Sequence, residues 1–195
     1  MGGANKLALP VDGEPLLRRV VRTLLGSRLQ ELVIVFGHEA DRAERLLAGL
    51  DVHTVRNAGY AEGQMSSVHC GLAALVAPCT GIMICLADQP LLTPADIDRL
   101  IDAFGARRRG SILAPTHQGR RGNPIILAAE HRAAILRAER NLGCRRLIER
   151  NPELVATVES VNDHTVFDLD TPEDYRRLQQ RLNEAGATTA PSAPD

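Results

Sequence analysis

The chain has 195 residues, 44 % of them hydrophobic and 24 % charged, with a formal net charge of −1. These values fit one globular domain with a full core, and the near-neutral balance gives no long-range field for nucleic acid or an anionic membrane, so any phosphate binding must be local. No apolar run approaches the ~20 residues that cross a bilayer, and residues 1–6 lack the apolar stretch of a secretory leader, so the expectation is a cytoplasmic protein with no nucleic-acid or membrane partner.

The spacing of Leu16, Leu17, Val20, Val21 and Leu24 predicts an amphipathic helix over 15–25. A strand over 31–36, a helix over 41–48 and a short strand over 52–55 follow. A loop over 57–63 leads to a helix over about 66–76. The apolar run 81–86 is too short for a helix and reads as a buried strand of a parallel sheet; a helix from about 94 to 104 comes next. Residues 111–114 and 124–127 form two more strands, and the short polar connection between them favours an antiparallel pair over a crossover. Helices are expected over 130–137 and 143–150, with late strands over 154–158 and 166–169. Thr171-Pro172-Glu173-Asp174 joins an N-cap hydroxyl, a first-turn proline and acids at the positive end of the dipole, so a last helix runs from there to about 183. Residues 184–195 are rich in Ala, Thr and Pro and read as a disordered tail on a domain spanning 1–183. Cys70, Cys79, Cys85 and Cys144 show no C-x-x-C spacing and read as reduced thiols, without structural zinc. The alternation implies a three-layer α/β/α Rossmann-like sandwich on a mostly parallel sheet with an antiparallel strand.

Asp88 stands where the 81–86 strand leaves that sheet. Ligands of open α/β sheets bind at this carboxyl rim, and a lone carboxylate there suits a Mg²⁺ ion shared with substrate phosphates. Gly2-Gly3-Ala4-Asn5-Lys6 is a permissive loop ending in a cation; its N–H groups can cradle phosphate oxygens and Lys6 adds a point charge. A flexible terminus competes with that reading. In Gly63-Gln64-Met65-Ser66-Ser67 the hydroxyls suit a base edge or an anion, or simply cap the helix. Gln118-Gly119-Arg120-Arg121-Gly122-Asn123-Pro124 sets two arginines between glycines, which suits an anionic planar substrate gripped by guanidinium forks; a plain hairpin turn is the alternative. The six histidines are scattered and read as surface or hydrogen-bonding groups.

In this order the segments resemble the MobA-like nucleotidyltransferases, and within them the molybdenum cofactor cytidylyltransferase branch. Met1-Gly2 and Lys6 are similar to the end of the family's Leu-Ala-Ala-Gly-x-Ser-x-Arg-Met-Gly signature and its following lysine. Glu62-Gly63-Gln64-Met65-Ser66-Ser67 resembles the Glu-Gly-x-x-x-Ser segment. Leu86-Ala87-Asp88-Gln89-Pro90 resembles the metal-binding Gly-Asp-Gln-Pro box, with Ala87 replacing the glycine. Residues 115–124 resemble the substrate loop of the cytidylyl branch, and Asp168-Leu169-Asp170-Thr171-Pro172-Glu173-Asp174 the closing Asp-x-Asp-Thr-Pro-Glu-Asp box.

The resemblance implies transfer of CMP from CTP to the terminal phosphate of molybdopterin, with release of pyrophosphate. It implies Mg²⁺ held by Asp88 with Asp170 or Asp168, and Lys6 neutralising the triphosphate. Gly2, Gly3, Gly63, Ser66 and Ser67 would lie around the nucleotide, and Gln89, Arg120, Gly122 and Asn123 around the acceptor. It also implies that a first strand and a Gly-x-Ser-x-Arg turn belong ahead of Met1, so the expectation is a reading frame that continues upstream; a chain starting at Met1 is expected to fold poorly and turn over little. The alternatives are another nucleotide or acceptor, a non-catalytic protein carrying the cofactor to a molybdenum hydroxylase apoenzyme, or a nicotinamide-dependent oxidoreductase. The last is disfavoured by the lack of a Gly-x-Gly-x-x-G after a first strand.

Overall fold

The structure, a computed structural model, describes residues 5–137 and 148–189. In chain order its elements are β1 (Pro10–Val11), β2 (Glu14–Pro15), α1 (Leu16–Leu25), β3 (Val33–Phe36), α2 (Ala40–Leu46), β4 (His53–Arg56), α3 (Gln64–Ala74) and β5 (Gly81–Ile84). They continue with α4 (Pro94–Ala106), β6 (Ile112–His117), β7 (Arg120–Arg121), β8 (Ile125–Ala128), α5 (His131–Arg137), β9 (Val155–Glu159) and α6 (Pro172–Thr189).

β3 and β4 pair in parallel, Val33 opposite His53 and Phe36 opposite Arg56. β8 runs antiparallel between β5 and β6, with Ile82 and Ile112 both opposite Leu127. β6 also pairs in parallel with β9 and carries the short β7 as a hairpin. β5, β6 and β9 therefore share one direction and β8 runs against them, as the short 116–123 connection requires.

Side chains alternate across this sheet with the period of two that the pleat imposes. Ile82, Ile112, Ala114, Ile125 and Leu127 face Met65 and Leu72 of α3 and Ile135 of α5. Leu113, Ile126 and Ala128 face Leu100 and Phe104 of α4. On that second side Val20 and Leu24 of α1 meet Ile97 of α4 and Leu178 of α6, while Leu17, Val21, Phe36 and Ala43 tie α1 and α2 to β3. The result is the expected α/β/α layering, with α3 and α5 on one face and α1, α2, α4 and α6 on the other.

Several boundaries differ, each for a local reason. Residues 166–169 form no strand. His164–Val166 is a 3₁₀ turn, and the extended chain beyond it donates one bond, from Leu169 N–H to the Asp88 carbonyl at 2.8 Å. The alternation that suggests a strand is real, since Phe167 and Leu169 are buried and Asp168 and Asp170 are not, but no ladder follows from it. β5 stops at Ile84 instead of Leu86 because its partner Ile125 is preceded by Pro124, which has no N–H to offer. The β1–β2 hairpin was not expected; Asp12 and Gly13 at φ 52° and 80° make the left-handed two-residue turn that Asp-Gly favours. α6 starts at its Thr171–Asp174 capping box and continues to Thr189, past the expected end. The rest of the expected tail lies outside the described residues, as do residues 143–147 of the helix expected over 143–150. Among the described residues no helix is long and apolar enough to cross a membrane.

Candidate active site

Three carboxylates and one lysine gather at the rim where β5 ends. Lys6 Nζ donates to Asp88 Oδ2 at 2.7 Å and to Asp170 Oδ1 at 2.9 Å. The residues lie far apart in the chain, and backbone bonds bring them together. The Leu169–Asp88 bond pins the acidic segment beside β5. Lys6 opens a 3₁₀ turn whose Asn5 carboxamide oxygen accepts the Leu7 N–H at 3.0 Å. Burial opposes the Lys6 charge, but the hydrogen bonds to Asp88 and Asp170 outweigh it and hold its pKa above the ordinary lysine value. Burial, then the charges of Asp88 and Asp170, push Asp168 above the usual carboxylate range, with the Gln89 amide and Lys6 pulling weakly the other way.

Asp88 Oδ1 and Asp168 Oδ1 are buried and accept no hydrogen bond. Such oxygens are destabilising unless a ligand satisfies them. Among the described residues no three His, Cys, Asp or Glu side chains form a ready-made metal cage. Mg²⁺ does not need one; one or two carboxylates suffice when waters and substrate phosphates complete the octahedron. The two orphan oxygens fit that role. Asp88 does sit against a cation of the protein itself, yet its side chain is 20 % exposed and it shares Lys6 with Asp170, so the group is open to a ligand.

Behind the acids lies a support built on one carbonyl. Thr165 O accepts the Asn123 N–H at 2.8 Å and the Gln89 side-chain amide at 3.1 Å. Gln89 is 1 % exposed, and a Cβ on Gly122 would come within 2.1 Å of that same oxygen. Gln89 is thus buried against the Thr165 carbonyl, and Gly122, whose own N–H donates to the Pro115 carbonyl at 2.9 Å, packs closely on that Thr165 oxygen. Asn123 is half-buried, with its backbone committed to the same contact. Arg120 is exposed on the β6–β7 hairpin. It lines a cavity of about 630 Å³ together with His117, Asp168, Asp170, Arg177 and Arg181.

The second expected loop is ordered by a residue that the sequence reading passed over. Asn57, directly after β4, donates to Ser66 Oγ at 2.7 Å and Ser67 Oγ at 3.0 Å, and its Oδ1 accepts the Gly59 N–H at 2.9 Å. Ser66 is buried and donates to the Gly63 carbonyl at 2.8 Å, so it braces the loop, with Gly63 at φ 106° just before α3. Ser67 lines a cavity with Gly37, His38, Gln64 and Ala87. An Asn at the carboxyl end of a strand was the available signal for Asn57; Thr165, which acts through its carbonyl, gave none. Gly2 and Gly3 lie outside the described residues. His117, His131 and His164 all make hydrogen bonds, to Ser160 O, Ser111 Oγ and Asp96 Oδ2.

Residues 1–156 match the family model of the MobA-like NTP transferase domain. The chain belongs to this family. Among the relatives of this MobA-like domain are nicotine blue oxidoreductase of Paenarthrobacter nicotinovorans, 29 % identical over 91 % of this chain and 89 % of that protein, and molybdenum cofactor cytidylyltransferase of Escherichia coli, 25 % identical over 93 % and 91 %. Among solved structures, Rv0371C of Mycobacterium tuberculosis in complex with manganese is 25 % identical, with a TM-score of 0.72 over 91 % of this chain and 93 % of that one. The MobA-like fold and the nucleotidyltransferase family thus agree with the strand order and layering.

Proposed function

We propose that this MobA-like domain transfers a nucleoside monophosphate from a nucleoside triphosphate to a phosphorylated acceptor, with CTP and molybdopterin as the leading pair. The observation that carries the proposal is the Lys6–Asp88–Asp170 group, one cation between two carboxylates from separate loops with Asp168 beside them. An acceptor phosphate oxygen attacks the α-phosphorus, the bond to the β-phosphate oxygen breaks, and its electron pair leaves with pyrophosphate. Attacker and leaving group are both anionic, so the protein's task is neutralisation and in-line placement; no covalent nucleophile is required. Asp88, with Asp170 or Asp168, would hold a divalent ion, Mg²⁺ in our reading, that supplies charge neutralisation on the phosphates. Lys6, with three donors, serves the same charge when it turns from the carboxylates to the triphosphate. Arg120 at the mouth of the 630 Å³ cavity offers a guanidinium fork to the acceptor. The cytidylyltransferase relative supports the choice of CTP and a molybdenum cofactor, and the manganese complex of the structural neighbour supports a divalent ion.

The test is pyrophosphate release with Mg²⁺ and molybdopterin on a panel of CTP, GTP, ATP and UTP. Release with CTP above the others is expected, and Asp88→Asn should lower it by about 10²–10³-fold with an unchanged circular-dichroism spectrum. Full turnover in that variant would remove Asp88 from the chemistry, and nucleotide or cofactor binding without release from any nucleotide would favour a carrier. A redox reading is favoured by the oxidoreductase relative; oxidation of a nicotinamide cofactor without pyrophosphate release would select it.

A further inference from the structure

Asp88 and the two acids Asp168 and Asp170 sit on separate segments of chain. The first segment runs from the end of β5 through Asp88 to Thr93, where α4 begins. The second runs from the 3₁₀ turn His164–Val166 through Asp168 to Asp170, just ahead of α6. Beside the acids the two are joined by the Leu169 N–H bond to the Asp88 carbonyl at 2.8 Å. At their other ends they meet on one carboxylate. Asp96 Oδ2 accepts the Thr93 N–H at 3.0 Å and the Thr93 hydroxyl at 2.7 Å, and it lies 2.8 Å from His164 Nδ1.

That last contact is a directed bond. Burial opposes the Asp96 charge, but the hydrogen bonds from His164 and Thr93 outweigh it and hold the pKa at about 2. The carboxylate is therefore ionised and can only accept, so Nδ1 of His164 carries the proton and donates it. The Asp96 side chain is 6 % exposed and that of His164 26 %, which shields the bond from water and strengthens it.

The two clasps close a ring of chain from Asp88 to Asp96, across to His164, on to Leu169 and back to Asp88. Gln89 crosses the ring, its amide on the Thr165 carbonyl at 3.1 Å. The 3₁₀ turn needs no help from the imidazole to form: the Val166 N–H donates to the Asp163 carbonyl at 3.0 Å and the His164 N–H to Asn162 Oδ1 at 3.2 Å. The imidazole instead fixes where that turn stands relative to α4, and with it where Asp168 and Asp170 stand relative to Asp88. Neither His164 nor Asp96 lines the cavity that holds Asp168 and Asp170.

We infer that His164 and Asp96 are a positioning pair whose bond sets the Asp88 carboxylate against those of Asp168 and Asp170, and through them the affinity of the site for a divalent ion. The inference rests on the divalent-ion reading given above. An ion of this class demands near-ideal octahedral geometry at short range, so a small shift of one acid-bearing segment weakens its hold. Partners that orient metal ligands from outside carry about 10–100-fold in affinity.

The experiment titrates Mn²⁺ into four full-length proteins and reads the free ion by electron paramagnetic resonance, with urea unfolding run alongside. They are the parent, His164→Leu, His164→Asn and Asp88→Asn. The parent should bind Mn²⁺ and Asp88→Asn should lose that binding. His164→Leu should bind about tenfold more weakly or worse, and His164→Asn, whose carboxamide N–H can replace Nδ1 as a donor to Asp96, should recover most of the affinity. A purely structural role would lower the urea midpoint and leave the Mn²⁺ affinity of the folded protein unchanged. If His164→Leu does not fold, His164→Ser, too short to reach Asp96 and able to admit water, takes its place under the same criteria. Parental affinity in the Leu or Ser variant would overturn the inference alone, and so would equal losses in that variant and in His164→Asn. A parent that binds no Mn²⁺, or binding that survives in Asp88→Asn, would overturn the divalent-ion reading and the inference with it.

Discussion

Thr165 shows how a residue without reactive chemistry governs a site. Its carbonyl gathers Asn123 and Gln89, and Asp168 and Asp170 follow within one turn of extended chain. Gly122 is glycine because any Cβ would strike that carbonyl. Gly122→Ala should destabilise the protein by roughly 3 kcal/mol, since backbone, not a flexible side chain, must yield. Urea unfolding checks this; a midpoint equal to that of the parent would show that Thr165 can move freely. Lys6, Asp88 and Asp170 were legible as residue types because phosphate chemistry needs a cation and a metal-binding carboxylate. The resemblance grouped them at one site, but the direct hydrogen bonds from Lys6 to both carboxylates were not legible, since they depend on the Leu169–Asp88 backbone bond and on the turn that carries Lys6.

At the scale of elements, end signals are strong where a side chain closes them. α4 begins with a capping box in which Thr93 Oγ1 accepts the Asp96 N–H at 3.2 Å and Asp96 Oδ2 accepts the Thr93 N–H at 3.0 Å. Asp96 also meets His164 Nδ1 at 2.8 Å and thereby ties α4 to the turn before the acidic segment. Burial raises the Asp96 pKa, but the hydrogen bonds from His164 and from the hydroxyl and N–H of Thr93 outweigh it and hold it at about 2, against an ordinary value of 3.8. A carboxylate depressed on folding stabilises above its unfolded pKa, and that stability is lost as pH falls through the folded value. The contribution is on the order of 2 kcal/mol, present at pH 5 and removed between about pH 4 and pH 2. Stability against urea should fall across that window in the parent and much less in Asp96→Asn; parallel pH profiles would show that Asp96 is not the group responsible. The Asp12-Gly13 hairpin was equally readable from its dipeptide, whereas residues 166–169 misled because alternation records which side is buried and says nothing about a partner strand.

For the molecule as a whole, the helix layers span the β3–β4 pair and the five-stranded sheet, which among the described residues do not hydrogen-bond to each other. Packing through α1 and α3 holds the β3–β4 half to the rest. Stability is therefore uneven. Amides of β3 should exchange about tenfold faster or more than those of β6 and β8, which have strand partners on both sides. Native-state exchange read by mass spectrometry tests this, and uniform protection across all three strands would show that the gap between β3 and β5 is closed in solution.

The sequence by itself determined the helices from α1 to α5, the start of α6, the alternation that sorts side chains between layers, the antiparallel 112–127 pair and the family, because each is carried by residues near one another in the chain. Only the tertiary structure decided that Lys6 bonds both Asp88 and Asp170, that Gln89 is buried against the Thr165 carbonyl, and that among the described residues β3 and β5 do not pair. Those outcomes depend on backbone carbonyls and open strand edges, which every residue possesses and which only three-dimensional placement sets to use.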